Sequence, residues 1–119
     1  MPTTTPHLDQ IPRLHQIDDE LCSRYLASSV ELVGKRWNSA ILLAISQGAT
    51  RFSEITASVT GLSDRLLAQR AKELEQAGLV DREVIASTPV QVRYTLTDRG
   101  RDLLESLQPL ARWGQRWGE

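Results

Sequence analysis

The hydrophobic period of the sequence changes at Gly78, and this change restricts the fold more than any other feature. Apolar side chains recur at helical spacing over residues 64–77, directly after Ser63, whose hydroxyl is suited to capping a helix N-terminus. Beyond Gly78, residues 79–85 and 90–96 are rich in β-branched side chains, and four residues separate the two runs. The sequence therefore predicts a helix that is followed at once by a β-hairpin.

The helix over 64–77 is predicted to have two chemically different faces, because side chains three or four residues apart share a face. One face is mainly apolar and is expected in the core: Leu66, Leu67, Arg70, Ala71, Leu74 and Ala77. The opposite face is basic and amide-bearing: Arg65, Ala68, Gln69, Lys72 and Gln76. Such side chains reach phosphates and base edges in a DNA major groove, which makes this the candidate recognition helix.

Three further helices are predicted before the recognition helix. Helical spacing runs from Asp19 to a stop at Gly34, and residues 37–47 are apolar on most sides, as in a core helix. A shorter helix over 51–59 precedes the turn at 60–61. Short helices joined by a tight glycine-containing turn are typical of a helix-turn-helix, and a hairpin directly after the recognition helix is typical of a wing.

A last helix begins after Thr97 and carries an apolar stripe to the end of the sequence, with Pro109 expected to kink it. The stripe is longer than so small a core can bury. Together with the first helix it is the predicted dimer interface, where aromatic side chains are favoured. The residues assigned to this interface are Leu21, Leu26, Leu107, Leu110, Trp113 and Trp117.

The predicted fold class is α+β, mostly α: a winged helix-turn-helix with a two-stranded wing and a long C-terminal dimerisation helix. Residues 1–18 contain three prolines and no sustained apolar period, so they are expected to form a flexible N-terminal arm. Residues 19–119 are expected to form the winged helix-turn-helix domain, including the dimerisation helices.

Composition excludes several other classes of protein. The formal net charge of −1 gives no general argument for DNA binding, so the placement of the basic residues must supply it. A single cysteine excludes an internal disulfide framework, and no apolar run is long enough to span a membrane. The N-terminus does not have the pattern of a secretory signal, and a cytoplasmic location is expected. His7 and His15 lie in the predicted arm, so neither a metal site, a cofactor nor an enzyme is predicted.

Six segments, taken in order, resemble the HxlR-type winged helix-turn-helix transcription regulators, which are related to the MarR group. They are GKRW at 34–37, RFSEI at 51–55, GLS at 61–63 with Leu66 and Leu67, KELEQAGLVDR at 72–82, TPVQV at 88–92, and YTLT at 94–97 with Gly100. The sequence is most similar to the branch of thiol-based repressors that sense quinones, diamide and related electrophiles. The resemblance implies a homodimer that places two recognition helices in successive major grooves of a palindromic double-stranded operator.

Site residues follow from the resemblance position by position. The implied recognition-helix contacts are Ser63, Arg65, Ala68, Gln69 and Lys72, and the implied phosphate or minor-groove contacts are Arg51, Thr88, Pro89, Gln91 and Arg93. Cys22 occupies the position of the family's sensor cysteine, with Tyr25 close enough along the helix to pack over its sulfur. A quinone or another electrophile is the implied modifier of Cys22.

Other interpretations of the same residues remain open. The recognition face is also consistent with an ordinary solvated helix, and Cys22 with an inert buried thiol. The alternatives at the level of function are a regulator that binds a small molecule between the first and last helices without thiol chemistry, and a winged-helix module that binds protein. An enzyme with Cys22 as nucleophile lacks a basic partner in the predicted domain.

Overall fold

A computed structural model describes residues 17–118, which form six helices and a two-stranded antiparallel sheet. Helix α1, over residues 19–33, is α-helical over Asp19–Leu21 and Ala27–Val33 and is wound as a π-helix over Cys22–Leu26. The other elements are α2 (Asn38–Ser46), α3 (Phe52–Ser58), α4 (Asp64–Gln76), β1 (Val80–Ile85), β2 (Gln91–Leu96), α5 (Asp98–Ser106) and α6 (Gln108–Arg116). The predicted arm, apart from residues 17 and 18, lies outside the described residues.

The core is built by the central part of the chain, from α2 to β2. Its largest fully buried side chains come from three helices and from the start of the hairpin: Ile41, Leu42, Ile55, Leu67, Leu74, Leu79 and Val80. Burying each such side chain contributes about 1.5–3 kcal/mol. No residue of α1 or of α6 is buried, so the two terminal helices lie outside this core.

Helix α4 has the ends that the sequence predicts. The Ser63 hydroxyl accepts a hydrogen bond from the backbone N–H of Leu66 at 3.1 Å and caps the N-terminus. Gly78 takes a positive φ of 75°, and the N–H of Leu79 bonds to the carbonyl of Leu74 at 2.9 Å. This is a glycine-terminated C-cap, and it directs the chain straight into β1.

The wing is a two-stranded hairpin, as predicted, but its loop is one residue longer than expected. Ile85 pairs with Gln91, which leaves residues 86–90 in the loop. The sequence did not predict that residues 50 and 51 extend the sheet: Arg51 forms a β-bridge with Arg93, and the N–H of Tyr94 donates to the carbonyl of Thr50 at 2.8 Å. Two residues are too few for an alternating pattern to be visible in a sequence.

The C-terminal region is divided into α5 and α6 at Leu107, whereas the sequence predicts one long, kinked helix. Pro109 lies in the first turn of α6 and has no N–H to donate to the carbonyl four residues earlier, so the helix restarts here instead of continuing. Within residues 17–118, no helix is long and apolar enough to cross a membrane.

Candidate nucleic-acid interface

The outward face of α4 presents a row of exposed side chains, most of them polar, on one helix. Arg65, Ala68, Gln69, Lys72 and Gln76 are all exposed, while Leu67, Ala71 and Leu74 are buried beneath them. The two faces therefore lie as the sequence predicts. Ser63 is also exposed, and because its oxygen accepts the capping hydrogen bond, its O–H remains available as a donor.

The wing presents different residues on its two faces, because neighbouring side chains along a strand alternate. Val80, Arg82 and Val84 share one face with their partners Leu96, Tyr94 and Val92. The other face holds Gln91 and Arg93 opposite Ile85 and Glu83. Thr88 and Pro89 are exposed in the loop at the tip of the hairpin. The four predicted wing residues are thus divided between the tip and the face that points away from the core.

Arg51 and Arg93 are brought together by tertiary pairing. They are partners in an isolated antiparallel β-bridge, with Arg51 just before α3 and Arg93 in β2, and neither forms an ion pair within the described residues. Like charges directly opposite one another in a sheet are destabilising unless an anion lies between them. Arg51 also begins α3, where the backbone N–H of Arg51 donates to the Glu54 carboxylate at 2.9 Å. The Arg51–Arg93 pair is therefore suited to binding a polyanion.

An ion-pair cluster that no sequence pattern predicts joins α4 to the turn after α1. The Lys35 ammonium lies 3.1 Å from Oε2 of Glu73, and Nη1 of Arg70 lies 2.9 Å from the same oxygen. Hydrogen bonds from Lys35 and Arg70 hold the pKa of Glu73 below its usual range. Opposite charges 38 residues apart give no periodic signal, so only the fold shows that these residues meet.

A second contact fixes the end of α1 against α2. The side-chain amide of Asn38, which is 3% exposed, donates to the carbonyl of Leu32 at 3.0 Å. Asn38 is the first residue of α2 and is its only buried polar side chain. The end of α1 is therefore tied both to the core and, through Lys35, to the recognition helix.

Cys22 is half-buried and lies at the start of the π-helical segment of α1. Segments of π-helix occur often at functional sites. Tyr25 is 54% exposed in the same segment.

The residues predicted at a dimer interface lie on α1, on α6 and at the two ends of α6, where Leu107 precedes the helix and Trp117 follows it. Leu21, Leu26, Leu110 and Trp113 are all more than half exposed. Leu107 and Trp117 are half-buried. An apolar groove lies between these helices and α2, and its walls include Val33, Ala40, Leu43, Leu104, Leu107 and Leu110.

The chain matches the model of one protein family, described as HxlR-like helix-turn-helix, over residues 32–119. It is 42% identical over 98 residues to the HTH-type transcriptional regulator YvaP of Bacillus subtilis. The aligned region covers 82% of this chain and 90% of YvaP. It is also 42% identical over 94 residues to the HTH-type transcriptional regulator YodB of B. subtilis. Here the aligned region covers 79% of this chain and 84% of YodB.

Solved structures of YodB share the fold. The reduced form superposes with a TM-score of 0.72 at 38% identity and covers 87% of this chain and 97% of the YodB chain. The quinone-bound form has a TM-score of 0.67 at 38% identity and covers 77% of this chain and 96% of the YodB chain. These similarities confirm the winged-helix architecture that the sequence predicts.

Proposed function

The chain belongs to the HxlR-like family of helix-turn-helix transcriptional regulators, and from this premise we propose that it is a homodimeric repressor released from DNA when Cys22 is modified. The observation that carries the proposal is the exposed basic and amide-bearing face of α4, held on a rigid helix beside a wing. Double-stranded DNA with a palindromic operator is the partner that this face fits, because two-fold symmetry in the protein is matched by two half-sites.

The roles proposed for individual side chains follow from their chemistry. Gln69 presents an amide that can bond to an adenine edge, and Arg65 presents a guanidinium that can bond to guanine. Ser63 donates its O–H to a phosphate at the start of α4, and Ala68 leaves room for close approach. Arg51 and Arg93 bind backbone phosphate as a pair, while Thr88 and Pro89 lie at the minor groove.

Dimerisation is supported by the poor packing of the terminal helices in a single chain. Helix α1 buries none of its residues although Leu21, Tyr25, Leu26 and Val30 are apolar and more than half exposed. A helix of this length is marginal in water unless one of its faces is packed. The radius of gyration is 17.3 Å, compared with about 13 Å for a compact chain of this size. A second copy is the occupant proposed for the exposed stripe.

Thiol sensing is supported by the states in which a relative has been solved and by the position of Cys22. YodB has been solved reduced, diamide-treated and quinone-bound, which shows that this relative meets both reagents. In this chain Cys22 is the one cysteine, and it lies within the exposed stripe of α1. Its thiol would add to a quinone ring carbon and leave a hydroquinone thioether. Alternatively, with diamide accepting two electrons and two protons, it would form a disulfide with Cys22 of a second copy or with a small thiol.

The proposed coupling runs along α1. Modification at Cys22 enlarges a side chain in the dimer stripe and changes how α1 packs. The far end of α1 is fixed to α2 by Asn38 and to α4 by the Lys35–Glu73 ion pair. A shift of α1 therefore changes the separation of the two recognition helices, and half-sites about 34–36 Å apart tolerate little error in that distance.

The test is a titration of the purified protein against the DNA upstream of its own gene, first reduced and then after treatment with benzoquinone or diamide. We expect tight, salt-sensitive binding that is lost on treatment, and a Cys22→Ser variant that keeps binding after the same treatment. DNA binding that is unchanged by the treatment would contradict thiol sensing. It would favour the alternative of a regulator that binds a small molecule non-covalently. An absence of binding at any salt concentration would favour the protein-binding alternative.

A further inference from the structure

A cleft lies between the recognition helix and the wing. It has a volume of about 390 Å³. One wall is formed by Ala68, Lys72 and Glu75 of α4, and the other by Arg82 of β1 and Tyr94 of β2. Because the side chain of Ala68 is small, it leaves space on the helix side, and the cleft opens beside the outward face of α4.

Arg82 faces this cleft because of the strand register. It is paired with the buried Tyr94, and it shares the sheet face of Val80. Arg93, the wing arginine predicted to contact DNA, lies on the opposite face. The two arginines of the wing therefore cannot bind at the same place, and Arg82 is the one that faces the recognition helix.

The charges around the cleft are unbalanced in favour of an anion. Lys72 and Arg82 are both exposed, stand on opposite walls, and have neither an ion-pair nor a hydrogen-bond partner among residues 17–118. Glu75 is the one acidic residue that lines the cleft, and it forms no ion pair in the described part of the chain. Asp81 and Glu83, the neighbours of Arg82 in sequence, lie on the other sheet face.

We infer that this cleft binds one backbone phosphate of the DNA strand that runs along α4, with Arg82 and Lys72 as its two cationic contacts. The inference rests on the proposed function and adds a contact to it. The planar guanidinium of Arg82 bonds two phosphate oxygens at once, and the Lys72 ammonium adds charge from the helix side. Glu75 weakens the site by repelling the same phosphate.

Two variants of the cleft should change DNA affinity in opposite directions. Arg82→Gln should weaken binding about ten-fold for specific and unrelated DNA alike, because a phosphate contact carries no sequence information. The slope of log affinity against log salt should fall by about 1, so the loss should be roughly three to four times greater at 50 mM than at 200 mM salt. Glu75→Gln should tighten binding, because the repulsion is removed.

Matched controls separate binding from folding. Arg82→Lys keeps the charge and should keep the salt slope, while Arg99→Gln removes an exposed arginine of α5 that does not line the cleft and should leave affinity unchanged. The competing interpretation is that Arg82 and Glu75 tether the wing to α4. In that case both neutral variants would weaken binding and lower the thermal midpoint together, which would overturn the inference.

The outcome also distinguishes this inference from the proposed function. A wild-type protein that binds DNA with a steep salt slope, combined with an unchanged slope in Arg82→Gln, would overturn the phosphate cleft alone. A wild-type protein that binds no DNA would overturn both.

Discussion

The role of each side chain of α4 depends on the direction in which it points. Arg70 and Glu73 lie toward the turn after α1 and hold the helix in place, while Gln69 and Arg65 point outward. Side chains of the first kind should affect stability, and those of the second kind should affect sequence preference. The two kinds are separable by experiment because they share one helix.

Replacing Gln69 with Ala should relax sequence preference at one base pair per half-site. Loss of the two-point contact proposed between this amide and an adenine edge should cost about 1–3 kcal/mol at that base pair and little elsewhere. Affinities for a series of operators, each with one substituted base pair, would measure this. Gln47→Ala removes an exposed amide at the end of α2 and is the control; equal effects from the two variants would contradict the assignment.

Glu73→Gln should reduce stability at neutral pH, and its effect should disappear in acid. The ordinary carboxyl value is 4.5, and hydrogen bonds from Lys35 and Arg70 lower the pKa of Glu73 in the folded state. A lowered pKa stabilises the fold fully above the unfolded value, and this contribution is lost as the pH falls through the folded value. Urea unfolding of wild type and variant from pH 7 to pH 3 should give curves that converge below pH 4.5. A constant difference across that range would rule out the ion pair as its source.

At the scale of elements, Thr97 holds the junction between α4, β1 and α5 together through hydrogen bonds to backbone groups. The Thr97 hydroxyl donates to the carbonyl of Gly78 at 2.6 Å and accepts from the N–H of Gly100 at 3.0 Å. The N–H of Thr97 donates to the carbonyl of Leu79 at 3.1 Å. The C-terminal end of α4 is thereby attached to α5, the helix that leads to α6 and the proposed dimer interface.

Gly100→Ala should destabilise this junction. A Cβ at Gly100 would overlap the carbonyl oxygen of Leu79, and backbone atoms cannot move aside cheaply. The expected cost is about 1–3 kcal/mol in the free energy of urea unfolding. Gly114→Ala is the matched control, because a Cβ there would have no atom within 4 Å apart from those of its own stretch of helix, and alanine favours the helix by roughly 0.5–1 kcal/mol. Equal stability of the two variants would mean that α5 does not pack as described.

At the scale of the whole molecule, the chain has a compact centre and two unburied helical ends. The extents of 57 × 37 × 20 Å reflect how far these ends project. Leu110 and Trp113, both more than half exposed on α6, are apolar side chains that water disfavours. A second copy of the chain that covers α1 and α6 would remove the free-energy cost of exposing these side chains to water.

Leu110→Asp should shift the protein from dimer to monomer, because a charge would be buried in the proposed interface. Sedimentation velocity over a concentration series would measure the shift, and DNA affinity should fall with it. Val90→Asp places the same charge on an apolar side chain that is 64% exposed in the wing loop, and it should remain dimeric. An unchanged dimer in Leu110→Asp would place the interface elsewhere.

The sequence by itself determined the local structure. Ser63, Gly78 and Thr97 mark element ends through hydrogen bonds and backbone conformations that act within a few residues, and the periods of 3.6 and 2 identify α4 and the hairpin. The outward face of α4 followed from the same periodicity. A five-residue loop and a break at Leu107 differ from expectation by small amounts, because turn geometry and proline effects depend on neighbouring packing.

Only the tertiary structure decided which distant residues meet. The pairing of Arg51 with Arg93, the Lys35–Glu73 contact and the placement of Arg82 opposite Lys72 each join separate elements. Alternation along β1 showed that Arg82 shares a face with Val80, but not that this face looks toward the recognition helix. The physical reason is that periodicity gives the direction of a side chain relative to its own element, whereas the packing of elements against a common core sets their mutual orientation.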